Sequence, residues 1–170
     1  MSRMRRHITA LTLTAAGLAT TAVLAAPAHA AGATVTVGSF QNMSVVGTVG
    51  DDSIDINAFN GKVTVTSSLH SVTAGAGCVQ QGPGTVSCAG VTTITVNVRA
   101  GNDTVRNTTS LFAEIFGSAG SDRLSGGSGR DILVGGSGDD FLSGNGGNDI
   151  TDGGPDFDTC AGESEPNCEA

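Results

Sequence analysis

Hydrophobic and polar residues alternate in several short runs beyond residue 30, and Gly-, Asn- and Ser-rich stretches separate these runs. The clearest runs are 34–37 (TVTV), 62–66 (KVTVT) and 93–98 (TITVNV). A period of two residues is typical of a β-strand with one buried face, because successive side chains point to opposite faces. No stretch beyond residue 30 shows an amphipathic helical period of useful length, so the pattern predicts an all-β fold.

From residue 117 onward the alternation gives way to a strict period of nine residues. Five consecutive nonads read GSAGSDRLS, GGSGRDILV, GGSGDDFLS, GNGGNDITD and GGPDFDTCA. Position 1 is always Gly and position 6 is always Asp. The aspartates are Asp122, Asp131, Asp140, Asp149 and Asp158. A flexible linker has no reason to keep Gly and Asp in register over residues 117–161, so this segment is a structural repeat.

These nonads resemble the RTX, or hemolysin-type, calcium-binding repeat, whose pattern is G-G-x-G-x-D-x-U-x. The resemblance implies a parallel β-roll, or β-helix solenoid, in which each nonad forms a six-residue turn and a three-residue strand. Two nonads then make one coil of 18 residues. The fourth and fifth nonads depart from the pattern at Thr151, Asp156 and Cys160, which predicts a distorted last coil.

Residues 18 apart are stacked in such a coil, so Asp122, Asp140 and Asp158 form one column and Asp131 and Asp149 form another. Neighbouring strands lie about 4.7–4.9 Å apart, which is close to twice a calcium–oxygen distance of about 2.3–2.6 Å. We therefore expect about three well-formed Ca²⁺ sites, one for each stacked pair of aspartates. The other ligands are expected to be backbone carbonyls near Gly117, Gly120, Gly126, Gly129, Gly135, Gly138, Gly144 and Gly147.

Acidic residues outside the five nonads are weaker candidates. Asp103 lies 19 residues before Asp122, and it can join that column if one extra residue, such as Asn107, is absorbed in a bulge. Asp52 belongs to a second partial match and is predicted to be a turn residue rather than a ligand. The glutamates of the C-terminal tail are predicted to be a solvated end of the chain.

Residues 1–30 have the features of an export signal, namely a basic start, an uncharged apolar stretch and small residues before a predicted cleavage after Ala30. A secreted protein is expected to form disulfides, and its four cysteines allow three pairings. The short loops favour Cys78–Cys88 and Cys160–Cys168. Cleavage would remove three of eight basic residues and none of sixteen acidic ones, which leaves a formal charge of −11. Such a surface attracts cations and disfavours nucleic acid.

The predicted organisation has four parts. A signal peptide (1–30) precedes a β-rich region with a disulfide loop (31–106), the nonapeptide repeats (107–161) and an acidic tail or cap (162–170). We expect the strands of the β-rich region to continue the stack of coils, although a small separate sandwich would also fit them. No segment after the signal is long and apolar enough to span a membrane.

The sequence predicts a secreted calcium-binding protein whose repeats fold on binding Ca²⁺. It would serve a structural or interaction role, with an extracellular surface or matrix component as partner. The alternative is an accessory domain of an exported hydrolase or a calcium-dependent adhesin. No catalytic activity is expected, because neither H-E-x-x-H nor G-x-S-x-G is found and His70 is the sole histidine after the signal.

Overall fold

The computed structural model describes residues 32–169, so the predicted signal peptide and its cleavage site lie outside the described residues. Within this range the chain forms strands and turns, and no helix there could span a membrane. The strands are β1 (Ala33–Val37), β2 (Asn42–Val46), β3 (Ser53–Phe59), β4 (Lys62–Ser67), β5 (Val72–Ala74), β6 (Cys78–Gly82), β7 (Thr85–Ala89), β8 (Thr93–Asn97), β9 (Thr104–Asn107), β10 (Phe112–Ala119), β11 (Arg123–Ser125), β12 (Asp131–Ser137), β13 (Phe141–Ser143), β14 (Ile150–Asp152) and β15 (Thr159–Ala161).

The strands form two sheets that enclose one apolar core. The seven-stranded sheet has the order β14-β12-β10-β8-β2-β1-β5, and the eight-stranded sheet has the order β15-β13-β11-β9-β3-β4-β7-β6. From β8 onward the chain alternates between the sheets, and each strand pairs in parallel with the strand one coil earlier. This arrangement confirms the predicted all-β class and parallel β-roll.

The region upstream of the repeats continues the same stack, as expected. Strand β2 pairs in parallel with β8, and β3 pairs in parallel with β9, so β2 and β3 form the first of five coils. The other upstream strands do not follow the coil pattern. Strands β1, β4, β6 and β7 each pair antiparallel with at least one neighbour, and β5 pairs in parallel with β1 at the edge of the sheet. Between β3 and β4 the residues Asn60 and Gly61 have φ angles of 51° and 72°, as a two-residue hairpin turn requires.

Alternate side chains from the two sheets fill the core. The repeats contribute their position 8 residues, of which Leu124, Leu133 and Leu142 are buried, and Thr151 and Cys160 occupy the same place in the last two nonads. Disulfides join β6 to β7 (Cys78–Cys88) and β15 to the tail (Cys160–Cys168), which are the pairings that the sequence favours.

The C-terminal residues 162–169, called the tail below, return across the last coil. The backbone nitrogen of Thr151 donates to the carbonyl of Ser164 at 2.9 Å, and the nitrogen of Glu169 donates to the carbonyl of Asp158 at 2.9 Å. The tail is therefore held against the last coil by backbone hydrogen bonds as well as by a disulfide.

Candidate metal centre

The five position 6 aspartates are all buried, with exposed fractions between 0% and 3%. Asp122, Asp140 and Asp158 each precede a strand of the eight-stranded sheet. In the other sheet Asp131 is the first residue of β12 and Asp149 directly precedes β14. The two groups thus occupy two opposite corners of the roll, where the chain turns from one sheet into the other.

One hydrogen bond recurs between consecutive coils. The backbone nitrogen of Asp122 donates to Oδ1 of Asp140 at 2.7 Å, and the nitrogen of Asp140 donates to Oδ1 of Asp158 at 2.8 Å. At the other corner the nitrogen of Asp131 donates to Oδ1 of Asp149, also at 2.8 Å. Each carboxylate therefore lies against the coil before it, and the aspartates stack as the 18-residue period predicts.

The first of these columns extends well beyond the repeats. The nitrogen of Asp103 donates to Oδ1 of Asp122 at 2.7 Å, and the nitrogen of Asp52 donates to Oδ1 of Asp103 at 2.6 Å. Asp103 thus stacks with Asp122 despite the separation of 19 residues. We call the set Asp52, Asp103, Asp122, Asp140 and Asp158 the long column, and the set Asp131 and Asp149 the short column.

Asp52 is a turn residue, as predicted, and it also belongs to the long column. Asp52 does close a turn, since its Oδ2 accepts a hydrogen bond from the nitrogen of Thr48 at 2.7 Å. It is also 1% exposed and forms the upstream end of the long column. Its Oδ1 lies 3.6 Å from Nδ1 of His70, so a histidine rather than another coil faces this end.

The extra residue of the 19-residue coil lies in the turn after β9. Strands β9 and β11 are offset by 19 residues up to the pair Arg106 and Ser125, whereas β10 and β12 are offset by 18 from the pair Ala113 and Asp131. Asn107, the predicted site of the extra residue, is the last residue of β9, directly before this turn, and its Oδ1 accepts a hydrogen bond from the nitrogen of Thr109 at 3.0 Å.

The short column ends upstream at a residue without a carboxylate. Ala113 occupies the place of an aspartate one coil before Asp131, and its nitrogen donates to Oδ1 of Asp131 at 3.1 Å. Oδ2 of Asp131 is also satisfied, because the nitrogen of Gly127 donates to it at 2.6 Å. Its burial nevertheless raises the pKa of Asp131 to about 6.

The long column has unpaired oxygens that Asp131 lacks. Oδ2 of Asp103, Asp122, Asp140 and Asp158 is buried in each case and has no hydrogen-bond partner. Desolvation by burial raises the pKa of Asp103 to about 7 and that of Asp140 to about 6, and it also raises the pKa of Asp122 and Asp158. A buried carboxylate oxygen without a partner destabilises the folded state, so a cation bound at these positions would stabilise it.

The position 1 glycines make room for these oxygens. A Cβ atom at Gly117 would overlap Oδ2 of Asp122 and crowd the carbonyl oxygen of Gly135 one coil later. A Cβ atom at Gly135 would meet Oδ2 of Asp140 and the carbonyl of Gly153 in the same way. At each such corner a carboxylate oxygen and a carbonyl oxygen therefore share the space that a side chain would fill.

The other predicted carbonyl donors also face neighbouring coils. A Cβ atom at Gly126 would meet the carbonyl of Gly144, and a Cβ atom at Gly138 would meet that of Gly120. Gly147 lies in the same way against the carbonyl of Gly129. Among residues 32–169 no three His, Cys, Asp or Glu side chains form a common cluster, so an ion here would take several ligands from the backbone. Carboxylate and carbonyl oxygens are the hard ligands that Ca²⁺ prefers, so the residues fit this ion.

Two glutamates that the sequence analysis treated as a solvated end continue the columns. The nitrogen of Asp158 donates to Oε2 of Glu169 at 2.9 Å, and that of Asp149 donates to Oε2 of Glu163 at 2.6 Å. Both residues are exposed, as predicted, but their carboxylates occupy the next place in each column. Their separations of 11 and 14 residues fall outside the 18-residue period, so the spacing could not reveal them.

The comparison with known families agrees with this geometry. The family model of the RTX calcium-binding nonapeptide repeat, which has four copies, matches residues 114–142 and 125–160. Searches of curated proteins and of solved structures find no match to the chain. The matched residues include the five aspartates at position 6 of the nonads. Segment 114–160 therefore belongs to the RTX calcium-binding nonapeptide repeat family.

Proposed function

We propose that the protein binds Ca²⁺ along the long column and that this binding folds the repeats. The observation that carries the proposal is the row of buried, unpaired Oδ2 atoms on Asp103, Asp122, Asp140 and Asp158. Ca²⁺ would neutralise the negative charge of these carboxylates. Its ligands would come from the carboxylates of neighbouring coils and from the carbonyls of the turns. The pair Asp131 and Asp149 is a further candidate site on the short column.

The balance of forces in the repeats supports folding coupled to binding. Two carboxylates about 5 Å apart repel each other by roughly 3 kcal/mol at an effective dielectric constant near 20. Each of the first three nonads buries one leucine at position 8, such as Leu133, which contributes only about 1.5–3 kcal/mol. Because ordering a single residue costs about 1–2 kcal/mol of backbone entropy, nine residues need more stabilisation than this core offers.

The proposed setting is extracellular. The predicted export signal, the two disulfides and the repeat family all favour an exported protein. Outside the cell, calcium modules commonly bind with a Kd of about 10⁻⁴ to 10⁻³ M, so the repeats would order on export. We propose a structural or interaction role for this calcium-ordered surface, without catalysis, and an extracellular surface or matrix component as its partner.

Calorimetric titration with Ca²⁺ tests the proposal. Asp140 lies inside the long column, with Asp122 before it and Asp158 after it, so Asp140→Asn should remove about two sites. The matched control is Asp139→Asn, because Asp139 is the exposed neighbour and the change in charge is the same. Absence of Ca²⁺ binding by the unaltered protein would refute the proposal, and an equal stoichiometry in Asp140→Asn would refute the stacking of sites.

A further inference from the structure

The tail lacks the nonad pattern, yet it lies where a sixth coil would begin. In the long column the nitrogen of Asp140 donates to Oδ1 of Asp158 at 2.8 Å, and the nitrogen of Asp158 donates to Oε2 of Glu169 at 2.9 Å. The carboxylate of Glu169 thus accepts the same hydrogen bond from Asp158 that the carboxylate of Asp158 accepts from Asp140. The side chain of Glu is longer than that of Asp, so it reaches this place although the backbone of the tail does not follow the path of a coil.

The tail also supplies a backbone oxygen in the expected place. At Gly135 the missing Cβ leaves a space between Oδ2 of Asp140 and the carbonyl of Gly153. At Gly153 the corresponding space lies between Oδ2 of Asp158 and the carbonyl of Asn167. A carbonyl of the tail therefore replaces that of a position 1 glycine, although the two segments share no sequence pattern.

An unpaired buried oxygen points to a ligand at this end. Asp158 is 2% exposed, and its Oδ2 has no hydrogen-bond partner. Neither the backbone of the tail nor the side chain of Glu169 satisfies this atom, although both lie close to Asp158. A carboxylate oxygen in this state, with a carbonyl oxygen beside it and a second carboxylate nearby, fits a cation with hard oxygen ligands.

A covalent link holds these groups in place. Cys168 precedes Glu169 and follows Asn167, and it is bonded to Cys160 of β15. The nitrogen of Glu169 donates to the carbonyl of Asp158 at 2.9 Å, which adds a single backbone bond at the same point. Nδ2 of Asn167 also donates to Oδ1 of Asp152 at 2.8 Å, so the disulfide is the covalent cross-link that, together with these hydrogen bonds, fixes the residues that flank Cys168.

From this geometry we infer that Asp158, the carbonyl of Asn167 and Glu169 form a terminal Ca²⁺ site. We also infer that this site requires the Cys160–Cys168 disulfide. The inference rests on the proposed function, because it assigns a further site to the same column. It makes the calcium capacity of the protein depend on oxidation. A reduced chain would keep the sites between the repeats and lose the one at the end.

The first test compares two glutamates of the tail by calorimetric titration of the oxidised protein with Ca²⁺. Glu169→Gln should bind about one ion fewer than the unaltered protein, because an amide keeps an acceptor oxygen but loses the charge. Glu165→Gln is the matched control, since Oε1 of Glu165 accepts a bond from the nitrogen of Gly162 within the tail. This control should keep the full stoichiometry. Thermal unfolding in saturating Ca²⁺ would verify that both variants fold.

The second test removes the disulfide without reducing Cys78–Cys88. The double variant Cys160→Ser/Cys168→Ser should lose the same single ion, and adding Glu169→Gln to it should cause no further loss. If the unaltered protein binds no Ca²⁺, the proposed function itself fails. If it binds Ca²⁺ and Glu169→Gln binds equally many ions with equal affinity, only the terminal site is refuted. Equal losses in Glu169→Gln and Glu165→Gln would also refute the site and would leave the tail a simple cap.

Discussion

The repeats and the upstream region build the same two sheets with different side chains. Upstream, the core contains several large apolar residues, among them Met43, Ile54, Ile56 and Ile94, and a disulfide ties two antiparallel strands together. The repeats bury one position 8 residue and one aspartate in each nonad. The upstream region is therefore held together mainly by apolar contacts and adds Asp52 and Asp103 to the long column, whereas every nonad of the repeats contains a buried carboxylate.

If the repeats bind Ca²⁺ as proposed, this difference predicts a part of the fold that does not depend on metal and a part that does. Apolar burial stabilises the upstream coils whether or not Ca²⁺ is present. The coils β2/β3 and β8/β9 also provide one strand in each sheet, and the two strands of the next coil can pair with them. We expect the upstream region to act as a template, so that the repeats add coils in order once the charge is neutralised.

The largest expected effect is that of removing calcium. With a chelator in excess at pH 7.5, amides of β11 to β15 should lose protection from hydrogen exchange, whereas those of β2, β3 and β8 should keep it. The reason is that three of the five carboxylates with an unpaired buried oxygen among residues 32–169 lie in the repeats, whereas the large apolar residues lie upstream. Hydrogen exchange followed by mass spectrometry measures both regions in one experiment.

Magnesium at the same concentration is the control for ionic strength and charge, since it prefers shorter bonds and keeps its waters. It should not restore protection to the repeats. Equal protection of both regions with and without calcium would contradict the division into two parts.

A smaller effect is expected from pH in the absence of metal. Burial raises the pKa of Asp103 to about 7 and those of Asp131 and Asp140 to about 6, so the folded state binds protons more tightly than the unfolded state. The resulting stability is fully present below the unfolded pKa near 4 and is lost as the pH rises through 6 to 7. Calcium-free protein should therefore show more β-structure at pH 5 than at pH 7.5.

Circular dichroism in buffer stripped of calcium measures this trend without a chelator. Protons and Ca²⁺ compete for the same oxygens, so calcium affinity should fall as the pH falls from 7 to 5. The variant Asp140→Asn should have a weaker pH dependence than the control Asp139→Asn. A β-signal that does not change between pH 5 and pH 7.5 would contradict this prediction.

The smallest predicted effect concerns one residue of the first nonad, near the end of β10. Ser118 has a φ angle of 86°, and Gly136 and Gly154 occupy the same position of later nonads with φ angles of 115° and 109°. A left-handed conformation costs a residue other than Gly roughly 1–2 kcal/mol, and Gly loses about 0.5–1 kcal/mol in entropy. Ser118→Gly should therefore stabilise the calcium-bound protein by about 0.5–1 kcal/mol.

Urea unfolding in saturating Ca²⁺ measures this difference. The control is Ser137→Gly, because Ser137 is exposed in β12 and does not have a positive φ angle. This control should destabilise the protein slightly. A loss of stability in Ser118→Gly equal to that of the control would contradict the prediction.

The period of nine predicted the regular part of the columns because it is a local property of the chain. Once two nonads form one coil, the stacking of Asp122 on Asp140 follows from their spacing. Asp103 was also found as a candidate, because a slip of one residue leaves the pattern recognisable. The pairings Cys78–Cys88 and Cys160–Cys168 could be favoured for the same reason, since each closes a short loop.

The ends of the long column could not be predicted, because they depend on where distant segments return. Asp52 is 51 residues from Asp103 in sequence, and β4 to β8 lie between the strands that follow these two residues. Glu169 reaches its place through a tail whose course is set by Cys168 and by backbone bonds to the last coil. Periodicity contains no information on either path.

The course of the tail has a consequence for how the protein behaves in a concentrated solution. Strand β14 ends the seven-stranded sheet, and an open strand edge is a template for pairing with another chain. The nitrogens of Thr151 and Gly153 on this edge already donate to carbonyls of Ser164 and Pro166. Because these donors are already bonded, we expect the tail to oppose the stacking of a second molecule's coils on β14.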